Sequence, residues 1–272
     1  MDAFLCTTCG TQYAPSDAPP PACRICRDVR QYVPAQGQRW TTLAQLRCGH
    51  QNQFRRLQPD LYALATQPKA AIGQRALLVR TPAGNVLWDC LALLDDATLD
   101  IVNALGGIAA VAISHPHYYT TMAEWAHAFG CEVWLHEADR DWVMRPDPAL
   151  RFWSCDAVRV LGDISLVRLG GHFDGGTVLH WPQGCGGRGA LLSGDILQVV
   201  PDGRHVSFMY SYPNYLPLSA PVVRAMEARL APYDYDAVYG AFWDAEIVQD
   251  GRAAVAASFR RYLSMLERGT PA

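Results

Sequence analysis

Residues Ser114–Thr120 read SHPHYYT and follow the apolar run Ile108–Ile113, IAAVAI. A short apolar run entered from Gly106-Gly107 reads as a buried strand. In extended backbone, residues two apart point to the same side. His115 and His117 are therefore expected to project together from the end of that strand, where α/β folds place their chemistry. The residues after them are aromatic and hydroxylic, with no Asp or His where a second metal would want one. The stretch is a metal site, half of one, or the remains of one.

The flanks give the frame. Arg75–Arg80 and Asn85–Asp89 are apolar runs joined by Thr81-Pro82-Ala83-Gly84, a hairpin pattern. Asp96–Leu105 reads as a helix capped by Asp96 and stopped by Gly106-Gly107; Thr121–Phe129 is a second helix, ended by Gly130. Glu132–Leu135 is the next strand, so the rhythm is βαβ, with parallel strands and helical crossovers. Short β-type runs follow at Val158–Val160, Ser165–Leu169, Thr177–Trp181 and Ala190–Leu192. Helices at Ala220–Leu230 and Arg252–Glu267 enclose a strand at Ala237–Tyr239. The expected architecture is two βα-type halves packed as a sandwich of sheets with helices outside. The Gly-rich GCGGRG at Gly184–Gly189 lacks the Gly-Lys-Ser/Thr of a phosphate loop and reads as a hairpin tip.

Composition narrows the function. The chain has 272 residues, 50% hydrophobic and 18% charged, with a net charge of −3 and nine cysteines. That balance supports a large core and gives no electrostatic case for nucleic acid or an anionic membrane. No run approaches the ~20 apolar residues of a membrane span. The opening MDAFLCTTCG reaches cysteines before any apolar stretch, unlike a secretory leader. These features predict a cytoplasmic protein with metal-bound thiolates in place of disulfides.

Those thiolates are near the N-terminus. Cys6-x2-Cys9 and Cys23-x2-Cys26, thirteen residues apart, aim four sulfurs at one point, the tetrahedral shell that Zn²⁺ prefers. A segment of 30 residues has too little core to fold alone, so the metal would supply its folding free energy. Cys9, Gly10, Tyr13 and Pro15 also match the CGxxYxP of rubredoxins, but the long intervening segment of that family is missing, which favours structural zinc over redox iron. Cys48 and His50 read as bystanders. The predicted organisation is a zinc knuckle at 1–30, a linker at 31–60 and a main domain at 61–272.

Two later segments complete the histidine site. Gly170–Gly176, GGHFDGG, places His172 between glycines, and Ser193-Gly194-Asp195 follows a strand. Three histidines and a carboxylate at strand ends suit one borderline metal such as Zn²⁺. His127, His136 and His180 read as structural or exposed, and the aromatic stretch Ser207–Tyr215 as pocket lining or plain core.

In this order the motifs resemble the metallo-β-lactamase superfamily, over roughly residues 61–265. The resemblance implies a four-layer αββα sandwich. It assigns His115, His117 and His172 to the first metal, Asp195 to the bridging carboxylate and Asp89 to support of the HxH loop from behind. The family's HxHxDH is interrupted by Tyr119 and Thr120, and its last histidine by Ala241-Phe242. One metal site is therefore kept and the other lost. The implied activity is a mononuclear hydrolase of a small ester, thioester or lactone, with a metal-bound water as nucleophile. Asp195 would be ligand or general base, and Tyr119 either an oxyanion donor or an aromatic plug. The competing reading is a catalytically degenerate metal-binding or interaction protein. A flavodiiron-type redox reading lacks the necessary carboxylates and flavin domain. The expected partner is a small-molecule substrate; homo-oligomerisation is left open.

Overall fold

The computed structural model describes residues 1–268, so the last four residues assigned to the main domain lie outside the described residues. Two sheets face each other. The first has seven strands in chain order: β1 (Gln51–Gln58), β2 (Leu61–Gln67), β3 (Arg75–Thr81), β4 (Gly84–Trp88), β5 (Ala110–Ala112), β6 (Glu132–His136) and β7 (Leu150–Trp153). Its first four strands form an antiparallel meander, and β4 to β7 run parallel. The second sheet has six: β8 (Ala157–Leu161), β9 (Ile164–Arg168), β10 (Thr177–Trp181), β11 (Ala190–Gly194), β12 (Ala237–Gly240) and β13 (Glu246–Ile247). All its pairs are antiparallel except β11 with β12.

The run RALLVR is continuous because β3 is buried on both faces. With period-2 alternation, Leu77 and Val79 enter the layer between the sheets, against Leu166, Leu179 and Leu192 of the second sheet. Ala76 and Leu78 turn outward to a cluster completed by Met122 and Trp125. That outer layer uses the helices α1 (Asp96–Ala104) and α2 (Met122–Phe129). The second sheet's outer face packs Val167, Val178, Leu191 and Val238 against Val223, Met226 and Phe259 of α3 (Ala220–Leu230) and α4 (Gly251–Glu267). The four layers are therefore αββα. Each fully buried leucine contributes ~1.5–3 kcal/mol of transfer free energy.

Gly184–Gly189 connects the antiparallel pair β10 and β11 as the expected hairpin tip, with Cys185 and Gly186 in left-handed backbone. Two local expectations shift. The cap of α1 is Asp95, whose side chain accepts from the Thr98 amide at 2.8 Å. The segment expected as a linker at 31–60 instead carries a helix, Leu43–Gly49, with a Thr42–Gln45 capping box, and the whole of β1, which pairs along β2. As the edge of the sheet, β1 exposes much of both faces, so QNQFRRLQ lacks the apolar alternation that marks an inner strand.

The N-terminal residues pack onto the main domain. Leu5–Cys6 pairs with Trp40–Thr41. The Gln12 amide donates to the Thr120 carbonyl at 3.1 Å. Gly10, at φ +80, sits so close that a Cβ there would lie 2.8 Å from Ala71 Cβ and 3.2 Å from Thr120 Cγ2. No helix among the described residues is long and apolar enough to cross a membrane.

Candidate metal centre

His115 leaves β5 in extended backbone (φ −171°, ψ 170°), but Pro116–Tyr118 then forms a 3₁₀ turn. The two imidazoles therefore converge through a turn, not through an extended i, i+2 pair. The loop after β9 brings His172 to them: its Nε2 lies 3.2 Å from His117 Nδ1. One ring nitrogen from each of His115, His117 and His172 falls within 4.8 Å of the others, and all three residues are buried. Asp195, just past β11, places Oδ1 3.2 Å from His115 Nε2.

The tautomers are set from behind. His172 Nδ1 faces the Tyr210 and Met209 carbonyls at 2.8 and 3.2 Å. A carbonyl only accepts, so Nδ1 carries the proton and Nε2 keeps its lone pair. His115 Nδ1 is 2.9 Å from Ser114 Oγ, which donates to Asp89 Oδ1 at 2.6 Å. That hydroxyl is committed to Asp89 and accepts from His115 Nδ1–H, leaving His115 Nε2 unprotonated toward the cluster. Asp89 also accepts from the Ser114 amide at 2.8 Å. Its support of the HxH loop is therefore direct, and burial pushes its carboxyl up to about 7. Gly194, at φ +55, permits the approach of β11: a Cβ there would lie 2.7 Å from Ser114 Oγ.

Burial holds His115 and His117 well below the usual imidazole range and raises the Asp195 carboxyl. His115 Nε2, His117 Nε2 and Asp195 Oδ1 are buried without a hydrogen-bond partner. Unpaired buried polar atoms are costly and rare. Converging neutral imidazoles beside a carboxylate form a donor set that fits one Zn²⁺-type ion. Among the described residues, the only groups of three or more His, Cys, Asp or Glu able to hold a metal are these histidines and the four N-terminal cysteines.

Those cysteines are buried and unbridged. Cys6 and Cys26 sulfurs are 3.5 Å apart, and Cys9 and Cys23 sulfurs 3.6 Å. A Zn–S length of about 2.3 Å implies edges of about 3.8 Å in a tetrahedron, so the cluster fits zinc with little movement. Hydrogen bonds from Cys23 and Cys26 hold the Cys6 thiol far below its usual range, while burial pushes Cys9 well above it. Four buried thiols cannot all ionise without a cation between them. Cys48 is exposed, and His50 Nδ1 meets its own helix at Leu46 O, so neither joins the cluster.

Of the two expectations for Tyr119, its packing matches the aromatic plug: both Tyr118 and Tyr119 pack in the outer cluster of the first sheet, and the carboxylate that acts on the Tyr119 phenol is Asp139. The phenol brought to the site is Tyr118. Its ring meets His115 edge-on at 4.4 Å, its hydroxyl is buried without a partner, and burial with the Asp195 and Asp89 charges raises its pKa. The 3₁₀ turn exchanges the two tyrosines relative to an extended reading. Part of the aromatic stretch does serve the site: Tyr212 donates to Asp195 O at 2.8 Å, and its neighbours supply the carbonyls on His172, whereas Phe208 is core. His127 pairs with Asp147, and His180 meets Asp234 O, both outside the site.

Two groups were missed in the sequence. Phe173 touches all three histidine rings, with centroids 4.9–5.5 Å away. Arg30, from the N-terminal segment, stacks on Phe173 at 3.8 Å and donates to His172 O at 3.4 Å. Phe173 adjoins a histidine already singled out. Arg30 carries no local signal, because its contact spans 142 residues.

No family model matches the sequence. The Bacillus subtilis (strain 168) protein YmaE, itself uncharacterized, is 45% identical over 268 residues, covering 98% of this chain and 97% of its own. Among solved structures, the DIM-1 metallo-β-lactamase superposes with a TM-score of 0.57 at 11% identity, over 81% of this chain and 99% of its own. A metallo-β-lactamase from Hirschia baltica gives 0.55 at 17% identity, over 77% and 96%. A B3 metallo-β-lactamase with an active-site glutamic acid gives 0.52 at 22% identity, over 80% and 92%.

Proposed function

This chain belongs to the family of the Bacillus subtilis protein YmaE and is built on the metallo-β-lactamase fold; on that premise we propose that it is a hydrolase of a small ester, thioester or lactone that works with one divalent metal ion. The observation that carries the reading is the three imidazoles, His115, His117 and His172, each with a ring nitrogen within 4.8 Å of the others, beside Asp195. Where the resembled family carries its second-ion ligands stand Tyr119, Thr120 and the Ala241-Phe242 pair. The ion would supply Lewis acidity and bring the pKa of bound water to about 7.

The chain's own groups divide the remaining tasks. Asp195 Oδ1, raised by burial, is the group to take and return a proton. Tyr118, kept neutral in its buried position, offers an O–H to the oxygen that gains charge during acyl transfer. Asp89 and Ser114 hold His115 in one tautomer. A second reading, a metal-holding module without turnover, is favoured by the enclosure of the site, since none of His115, His117 and His172 exceeds 3% exposure. The test is a panel of activated esters, thioesters and lactones with zinc-loaded protein. Turnover lost in His115→Ala supports the hydrolase; no turnover above that variant on any substrate selects the second reading.

A further inference from the structure

The N-terminal cysteine cluster and the histidine cluster are joined by a short path. Trp142 packs against the cysteines and meets Phe173 edge-on at 5.7 Å, and Phe173 lies on the histidine rings. Two guanidiniums from the N-terminal segment stack on Trp142: Arg24 at 4.9 Å and Arg30 at 5.0 Å. Arg24 adjoins Cys23, and Arg30 lies four residues past Cys26. Arg30 is 8% exposed and stacks on the Phe173 ring, with Tyr210 beside it at 5.4 Å. Its charge is committed to Asp28 through Nε–Oδ1 at 2.5 Å and Nη2–Oδ2 at 3.1 Å. The backbone around it is pinned to the aromatic segment: Ser211 Oγ donates to Arg30 O, and Asn214 Nδ2 to Val29 O and Gln31 O.

A guanidinium already paired with a carboxylate is poorly placed to recruit an anionic substrate. Its stacking and carbonyl contact instead close the site. Ile25 is the one buried apolar residue the segment adds to the cysteines, so the ion they hold would contribute to its order beside these contacts. We propose that residues 24–31 are a lid over the histidine site, latched by Arg30 on Phe173 and His172, and that the metal held by the four cysteines sets whether the lid stays closed. This inference rests on the reading that the histidines hold an ion.

The test follows zinc release from the full-length, zinc-loaded protein to a chromogenic chelator, with the His115→Ala trace subtracted to isolate the histidine-bound ion. Arg30→Ala should release that ion about tenfold faster, the order expected for loss of one desolvated cation–π contact. Arg30→Lys keeps a charge opposite Asp28 and guards against misfolding; it should show a smaller acceleration in the same direction. Cys23→Ser should release the histidine-bound ion as fast as Arg30→Ala does. Wild-type rates in both Arg30 variants overturn the lid, and a wild-type rate in Cys23→Ser overturns its control by the cysteine metal. Wild type holding only one zinc, retained in His115→Ala, refutes the histidine metal site itself and the lid with it.

Discussion

Replacing Ser114 by alanine cuts the connection between Asp89 and His115 while leaving every proposed metal ligand in place. The hydroxyl donates to Asp89 at 2.6 Å and meets His115 Nδ1 at 2.9 Å, and all three residues are buried. Asp89 retains the Ser114 amide, but His115 Nδ1–H loses its acceptor. A buried donor left unpaired costs ~1–3 kcal/mol, so the metal-free fold should lose about that much in urea. The ion should lose more. Groups that orient a ligand histidine are worth ~10–100-fold in metal affinity, or about 1.4–2.7 kcal/mol. The assay is urea unfolding of wild type and Ser114→Ala, each with and without zinc and with His115→Ala as the baseline for cysteine-bound metal, alongside chelator competition. The zinc-dependent gain in stability should shrink in Ser114→Ala by the second amount, beyond the loss in metal-free protein. A variant that loses stability but binds zinc at the histidines as wild type does would refute the orienting role and reduce the Asp89–Ser114–His115 chain to packing.

Tyr118→Phe should lower turnover by ~10²–10³, the usual effect of removing one oxyanion donor, with zinc content unchanged, while Tyr119→Phe leaves kcat near wild type; the reverse pattern would restore the role to Tyr119. Leu78→Ala should lower unfolding free energy by ~2–5 kcal/mol in urea, because Leu78 is fully buried under the outer helices. Asp139 is pushed up to about 7 by burial, although it accepts from the Gly175 amide. A carboxyl raised in the fold stays protonated there after the unfolded chain has ionised, so its contribution is greatest below about pH 4 and falls as pH climbs toward 7. Against the ordinary Asp value of about 3.9, that loss is at most about 4 kcal/mol. Denaturation of Asp139→Asn and wild type at pH 5 and 7.5 should therefore show the variant gaining relative stability at the higher pH.

The parts of this molecule that were readable in its sequence are those governed by local periodicity. RALLVR and NVLWD announce inner strands because burial on both faces demands continuous apolar residues, and strand-end histidines announce a site because the backbone delivers them there. Paired CxxC turns predict a sulfur cluster through geometry alone. What escaped was decided at a distance or by a small rotation. The polar strand β1 is held by its neighbour and not by its own pattern. The exchange of Tyr118 for Tyr119 follows from one 3₁₀ turn after Pro116. Arg30 reaches the histidines only because the N-terminal segment folds back across the main domain.

That folding back has a steric corollary. Thr120, which stands where the resembled family carries a histidine, is 3% exposed, its carbonyl is taken by the Gln12 amide, and a Cβ added at Gly10 of the docked segment would lie 3.2 Å from its Cγ2. An imidazole at position 120 would need the space that this segment fills. A larger side chain at position 120 and this docked N-terminus therefore compete for the same space. Engineering Tyr119→Asp with Thr120→His would then be less a restoration of a site than an eviction of its neighbour.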